Sequence, residues 1–224
     1  MENMNFRIQD LAKTLIPGIV TFFLSFLLIL TEEEFMYLSN LTKDTIAIWL
    51  IIFIAVVYTL GYFVDFIGSK LEQLYYKWFE RPSIKLLNET SKLYKLSFSE
   101  EIIEFLCDII KRSSHHPFEK ESAKELFNCA NVYKEYASTT AKERVLEYYY
   151  SKILSRNVSA ALLFSFVVYL LFFLYNIANW QFNIYSLFII PIFIFSGYRW
   201  TTFAHYYTRQ VFYAACEPVL KKKI

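Results

Sequence analysis

Residues 45–80 read TIAIWLIIFIAVVYTLGYFVDFIGSKLEQLYYKWFE, and this stretch decides the fold. Residues 45–64 contain no charged residue. This uncharged segment has about the length that a helix needs to cross a ~30 Å hydrocarbon core. No proline interrupts the stretch before Arg81-Pro82, so a single helix over its whole length would extend about 54 Å. The pattern predicts a membrane-spanning helix that continues beyond the bilayer.

Three other stretches have the same apolar character, so we predict an all-α membrane protein with four transmembrane helices, long cytoplasmic helical extensions and a small helical insertion. No cleavage pattern follows the first stretch, so we expect it to be retained and not removed as a signal peptide. The predicted parts are an N-terminal hairpin at 1–67 with spans at 14–30 and 45–67, a cytoplasmic helical region at 68–157, a C-terminal hairpin at 158–200 with spans at 158–175 and 184–200, and a cytoplasmic tail at 201–224.

The composition agrees with a membrane protein and excludes several enzyme classes. Hydrophobic residues make up 56% of the 224 residues, more than the 45–50% of ordinary soluble domains. Only four glycines occur, which leaves no glycine-rich dinucleotide or phosphate loop. The three cysteines have no metal-ligand spacing, and His115-His116 lies beside Pro117 without further ligands. We therefore expect no catalytic residue, no cofactor and no metal site.

The distribution of basic residues predicts the orientation. Lys and Arg residues near the span ends remain cytoplasmic. With four spans, 22 of the 23 basic residues fall on one side, and only Lys43 falls on the other. We expect a multi-pass protein of the bacterial inner membrane with both termini in the cytoplasm.

The cytoplasmic parts are predicted to be helical and to pack on one another. A capping serine followed by Glu100 and Glu101 starts one helix at Ser99, and residues 118–136 form a second amphipathic helix. Small residues four apart predict close helix contacts at Gly197 with Thr201 and at Ser155 with Ser159.

Five ionisable residues lie closest to the inner ends of the spans: Asp65, Arg156, Arg199, His205 and Arg209. They are interpreted either as stalk salt bridges and lipid anchors or as a ring of charge around a cytoplasmic vestibule. The spans contain no Asp, Glu, Lys or His at mid-depth, which excludes a proton relay. Arg199 and His205 also have the spacing of the ribonuclease motif of HEPN domains, which leaves a nuclease as an alternative.

The charges of the central region do not indicate nucleic-acid binding, because basic and acidic residues nearly balance there. The terminal LKKKI is typical of a contact with anionic lipid. The expected partners are therefore the lipid bilayer, further copies of this chain in a homo-oligomer, and a cytoplasmic protein effector.

Four stretches together resemble a known group of proteins: IPGIVTFFLSFLLI at 16–29, YTLGYFVDFIGSKLE at 58–72, YYSKILSRNVSAALLFSFVVYLLFF at 149–173 and FSGYRWTTFAHYYTRQVF at 195–212. The arrangement is similar to the small multi-span accessory proteins of type VI-B CRISPR loci. The resemblance implies a non-enzymatic membrane component of antiviral defence that alters membrane permeability or modulates a cytoplasmic nucleic-acid-targeting effector. The alternatives are a passive scaffold that recruits a soluble partner and a membrane-tethered ribonuclease.

Overall fold

The computed structural model describes residues 11–29, 46–87, 127–132, 134–175 and 186–220. These residues are almost entirely helical and include no β-strand. A π-helical turn at Leu11–Leu15 leads directly into the first α-helix. The α-helices are α1 (Ile16–Ile29), α2 (Ile46–Trp78), α3 (Pro82–Leu87), α4 (Thr139–Tyr175) and α5 (Ser186–Leu220), with a short helical segment at 127–132 and a 3-10 turn at Lys134–Tyr136.

Three long helices dominate the described chain. The predicted continuous helix over 45–80 is found as α2, with 33 residues. Helices α4 and α5 have 37 and 35 residues. Helix α4 continues without a break from a predicted cytoplasmic extension into the predicted span 158–175. Helix α5 continues from the predicted span 184–200 into a predicted cytoplasmic extension. The all-helical fold predicted from the sequence is therefore found in the described residues.

Two of these helices are long and apolar enough to cross a membrane, namely Ile48–Trp78 and Thr139–Tyr175. Only 17% and 33% of their most apolar windows are buried within the chain. A core helix of a soluble protein would be mostly buried, so these helices present their apolar side chains outward. Lys13–Ser25 is a shorter apolar helix, and the count of four spans stays a prediction.

The chain divides into two compact units. The first unit comprises Met1–Gln73 and Ile153–Trp200, and the second comprises Leu74–Lys152 and Thr201–Ile224.

Within the first unit, α1 and α2 approach so closely that only glycine fits at the crossing. A Cβ atom on Gly18 would overlap the carbonyl oxygen of Val57, and one on Gly61 would overlap the backbone of Thr14. Backbone atoms cannot move aside as a flexible side chain can, so both positions require glycine. Elsewhere in this unit an apolar cluster is formed by Leu162, Tyr169 and Ile189.

The second unit has an apolar core centred on α5. Val211 and Phe212 are fully buried and pack with Val145 of α4 and Leu86 of α3. The ring of Phe127 contacts Phe212 edge-on at 5.9 Å between centroids. A domain interior of this kind is stabilised mainly by removing apolar surface from water.

The start of α4 in the second unit is capped from another helix. The Ser138 hydroxyl accepts a hydrogen bond from the Ala141 N–H at 3.3 Å, as an N-cap serine does. The Glu217 carboxylate in turn accepts hydrogen bonds from the Ser138 N–H at 2.9 Å and from its hydroxyl at 2.8 Å. Glu217 thus serves the role that a glutamate three residues after the cap plays in a capping box.

The predicted helix over 118–136 is found only in part. Residues 127–132 are helical, but Lys134–Tyr136 form a 3-10 turn, because the chain must turn here to place Ser138 at the start of α4. The predicted helix from Ser99, residues 118–126 and His115-His116 lie outside the described residues.

Candidate functional site: a buried charge junction in the first unit

Five residues of the first unit form a buried network that we call the charge junction: Lys13, Asp65, Glu72, Arg156 and Asn157. Asp65 and Glu72 are seven residues apart on α2, so they lie on one face of the helix. Arg156 and Asn157 are adjacent on α4, and Lys13 belongs to the π-helical turn before α1. The junction therefore joins three helical elements.

Arg156 is at the centre of the junction. Its Nη2 donates to Asp65 Oδ1 at 2.6 Å, its Nη1 donates to Glu72 Oε2 at 2.8 Å, and its Nε donates to Asn157 Oδ1 at 3.0 Å. The side chain of Arg156 is only 10% exposed, and the two carboxylates are 15% and 17% exposed. Every guanidinium nitrogen thus has an acceptor, which is the condition for burying a charge without a large penalty.

Asn157 connects this ion pair to the start of α1. It is fully buried, and its Nδ2 donates to Asp65 Oδ1 at 3.0 Å and to the backbone carbonyl of Lys13 at 2.7 Å. In an α-helix that carbonyl would accept from the N–H four residues later, but that residue is Pro17, which has none. The Asn157 amide therefore supplies a donor that the sequence removes from the backbone.

The remaining charge comes from Lys13, whose Nζ lies 3.4 Å from Asp65 Oδ2. The Lys13 side chain is half exposed, and this ion pair is longer and more accessible to solvent than those of Arg156. Two basic and two acidic side chains leave the junction without net charge.

Gly68 makes room for the junction on α2. A Cβ atom there would lie 2.8 Å from Asn157 Oδ1 and 3.2 Å from Arg156 Nε. Any larger residue would displace the two side chains that hold α4 against α2.

Hydroxyl groups extend the polar contacts of this unit. Ser159 Oγ and Ser196 Oγ are 2.8 Å apart, and both hydroxyls donate to the Ser155 carbonyl, at 2.9 and 3.2 Å. The small pair Ser155 and Ser159, predicted to mark a close helix contact, thus lies where α4 meets α5. No atom lies within 4 Å of a Cβ built on Gly197, so the close approach predicted at that residue is not found in the described part of the chain.

The structure brings together two of the five predicted site residues, Asp65 and Arg156. Arg199 is exposed on α5 in the first unit, whereas His205 and Arg209 belong to the second unit. The Arg209 guanidinium packs over the ring of Tyr213, one turn later on the same helix, and its Nη2 donates to the phenol oxygen at 3.1 Å.

Sequence reasoning missed Lys13, Glu72 and Asn157. The carboxylates of Asp65 and Glu72, spaced on one helix face with Gly68 between them, were the available signal for an arginine partner. No sequence signal indicates that an asparagine side chain replaces the helical donor lost at Pro17.

His205 and Cys216 are buried in the second unit, and burial shifts the pKa of each side chain. Burial, with a smaller contribution from the nearby charge of Lys85, lowers the pKa of His205 to about 4. Burial raises the pKa of the Cys216 thiol to about 12. At neutral pH His205 is therefore uncharged and Cys216 is an unreactive thiol.

The chemistry available at the charge junction is that of a fixed ion-pair network. Its acids and bases neutralise one another, and its hydrogen bonds hold three helical elements in one arrangement. The described residues contain no group of three His, Cys, Asp or Glu side chains placed to hold a metal ion. No protein family, curated protein or solved structure matches this chain.

Proposed function

We propose that this chain is a four-span protein of the bacterial inner membrane with both termini and the region 68–157 in the cytoplasm. The outward apolar side chains support this topology. On α2 the exposed residues include Ile48, Leu50, Ile51, Ile52 and Ile54, and on α4 they include Val167, Leu170, Leu171 and Leu174. Exposed apolar surface of this extent is costly in water and favourable in lipid.

Helix length supports a position for the charge junction within the proposed topology. A ~30 Å hydrocarbon core takes up about 21 residues of a helix tilted by ~20°. Counted from Ile46, the core then ends near Ile67, so Asp65 lies at its inner edge and Glu72 lies beyond it. The junction is therefore proposed to lie at the cytoplasmic boundary of the bilayer.

We propose that the protein acts without catalysis as a membrane component of an antiviral defence system, and that its homo-oligomer alters membrane permeability. The observation that carries this proposal is the charge junction, because a buried ion-pair network stabilises helix packing no better than apolar side chains of similar size and so indicates a role beyond stability. Four of its five residues lie in two of the four stretches on which the resemblance to type VI-B CRISPR accessory proteins rests, 58–72 and 149–173.

The proposal is tested in cells that carry the gene with its native neighbours. During phage challenge we expect protection together with a loss of membrane potential, recorded with a voltage-sensitive dye. The Arg156→Gln variant should change both readouts, whereas the exposed-charge control Lys142→Gln should change neither. Protection and potential that are the same with and without the gene would refute the proposal. Reporter fusions after residues 38, 80, 180 and 224 test the topology separately.

A second candidate function, a scaffold that recruits a soluble effector, is favoured by exposed aromatic side chains in the second unit. Trp78 is 81% exposed and Tyr136 is 74% exposed, and Phe79 is also exposed. Exposed aromatic residues are typical anchors of protein interfaces. If the scaffold is the function, Trp78→Ala and Tyr136→Ala should each weaken co-purification of the product of a neighbouring gene by at least tenfold, with Leu146→Ala as the exposed apolar control.

The ribonuclease alternative needs Arg199 and His205 at one accessible surface, and burial of His205 does not favour it. An Arg199→Ala/His205→Ala variant tests it directly. RNA cleavage by the purified chain that disappears in this variant would support a nuclease over both other candidates.

A further inference from the structure

The charge junction is more than a source of stability for the first unit. Burying the three charged groups of Asp65, Glu72 and Arg156 costs desolvation energy that their mutual attraction only roughly offsets. Apolar side chains of similar size would stabilise the same helix contacts at least as well. What the junction adds is a fixed geometry, because the bonds of Arg156 to Asp65 and to Glu72 each fix the position of α4 relative to one residue of α2.

The ion pairs of the junction differ in length and in exposure to solvent. Arg156 holds Asp65 and Glu72 through short, buried bonds, which join α2 to α4. The start of α1 is held by the Asn157 amide and by the half-exposed ion pair of Lys13, with 3.4 Å between Lys13 Nζ and Asp65 Oδ2. Water and salt weaken an exposed pair far more than a buried one. The Lys13–Asp65 ion pair, which helps to hold the start of α1, is therefore the bond of the junction that water and salt weaken most.

Polar side chains lie between α1 and α4 beyond the junction. Thr21 and Ser165 are fully buried, and the hydroxyls of Ser25 and Ser165 are 3.5 Å apart. In the closed arrangement Thr21 uses its hydroxyl on the Pro17 carbonyl of its own helix. If α1 moved away from α4, these hydroxyls would line the gap and could be solvated.

We propose that the charge junction is a latch that keeps α1 closed against α2 and α4, and that its release admits water along the Thr21, Ser25 and Ser165 face. This inference rests on the proposed permeability function and supplies its regulation. In the latched state Thr21 and Ser165 are buried within the first unit and Ser25 is partly buried.

The experiment uses the full-length chain in lipid vesicles and has two independent readouts. The first is labelling of a cysteine at position 165 by a water-soluble maleimide, read at that site by peptide mass spectrometry. The second is leakage of a trapped anionic dye. Both are measured with the native junction, with Arg156→Gln, and with the neutral triple substitution Asp65→Asn/Glu72→Gln/Arg156→Gln. The control is Lys142→Gln/Arg144→Gln, which removes two exposed positive charges elsewhere.

With the native junction and in the control we expect Ser165→Cys to resist labelling. In Arg156→Gln and in the triple variant we expect labelling to rise at least tenfold, together with dye leakage. The triple variant leaves no buried charge unpaired, so it keeps the test valid if Arg156→Gln does not fold.

The two readouts separate the latch from the function that it regulates. Labelling that rises without leakage would support the latch and contradict the permeability function. Labelling in the triple variant that stays at the native level would overturn the latch, whether or not dye escapes.

Discussion

The two units of this chain differ in how many polar side chains they bury: among the described residues, the first unit buries seven and the second buries three, Ser83, His205 and Thr208. In the first unit the fully or largely buried polar residues are Thr14, Thr21, Arg156, Asn157, Ser159, Ser165 and Ser196, while many isoleucines and leucines are exposed. In the second unit the interior is formed by aliphatic and aromatic residues around Phe212. This contrast is what two solvents would demand, because polar groups avoid lipid and apolar groups avoid water. The contrast fits the proposal that the first unit lies in lipid and the second in water.

The largest expected effect is at the centre of the charge junction. Arg156→Gln removes the guanidinium partner of the buried Glu72 carboxylate and one of the three partners of Asp65, and we expect a loss of about 3–5 kcal/mol in the free energy of unfolding. Neutralising Asp65 and Glu72 in addition should restore most of it. Thermal unfolding in detergent measures both variants. In the second unit Phe212→Ala should cost a similar ~3–5 kcal/mol, because it leaves a cavity. Neutralising charged side chains of the second unit should not restore this lost stability. A recovery as large as the one in the first unit would contradict the contrast between the units.

The next largest effect is expected at the α1–α2 crossing. Gly61→Ala places a methyl group against the Thr14 backbone, which cannot yield, and should cost about 3 kcal/mol. Gly197→Ala is the matched control, because its Cβ meets open space. In a helix interior that change should be neutral or stabilising by up to ~1 kcal/mol. Equal melting temperatures of the two variants would rule out the close crossing.

A pH effect of at most about 2 kcal/mol is expected in the second unit, since partial solvation reduces the effect of the His205 shift. The fold lowers the pKa of this histidine from 6.5 to about 4, so folding favours the neutral ring. This contribution is complete above pH 6.5 and is lost as the pH falls from about 6.5 to about 4. Melting temperatures across this range should depend less on pH in His205→Gln, and an unchanged dependence would contradict the assignment.

The smallest expected effect is at the cap of α4. Ser138→Ala removes the hydroxyl that accepts from the Ala141 N–H and donates to Glu217, and should cost about 1 kcal/mol. Thr140→Ala, an exposed hydroxyl in the first turn of the same helix, is the control. Denaturant unfolding resolves the difference, and identical midpoints would show that Glu217 holds the helix start without the serine.

Several features of the fold were predictable because they depend on local sequence. The absence of charge over 45–64 and of proline before Pro82 predicted the long helix α2, and similar reasoning predicted the helical continuity of α4. The pairing of Asp65 with Arg156 was foreseen only as a cluster of charges near the span ends. Arg199, assigned to the same cluster, is exposed on α5, because its position on the helix turns it outward.

By itself the sequence determined that α2, α4 and α5 are long helices and that α2 and α4 are apolar enough to cross a membrane, since these properties follow from residues close together in the chain. Only the tertiary structure decided that Asn157 replaces the donor missing at Pro17, that Gly18 and Gly61 permit two backbones to touch, and that Glu72 completes the charge junction. These contacts join residues as many as 144 positions apart. Their partners are chosen by the way the helices pack, and no local pattern in the sequence records that choice.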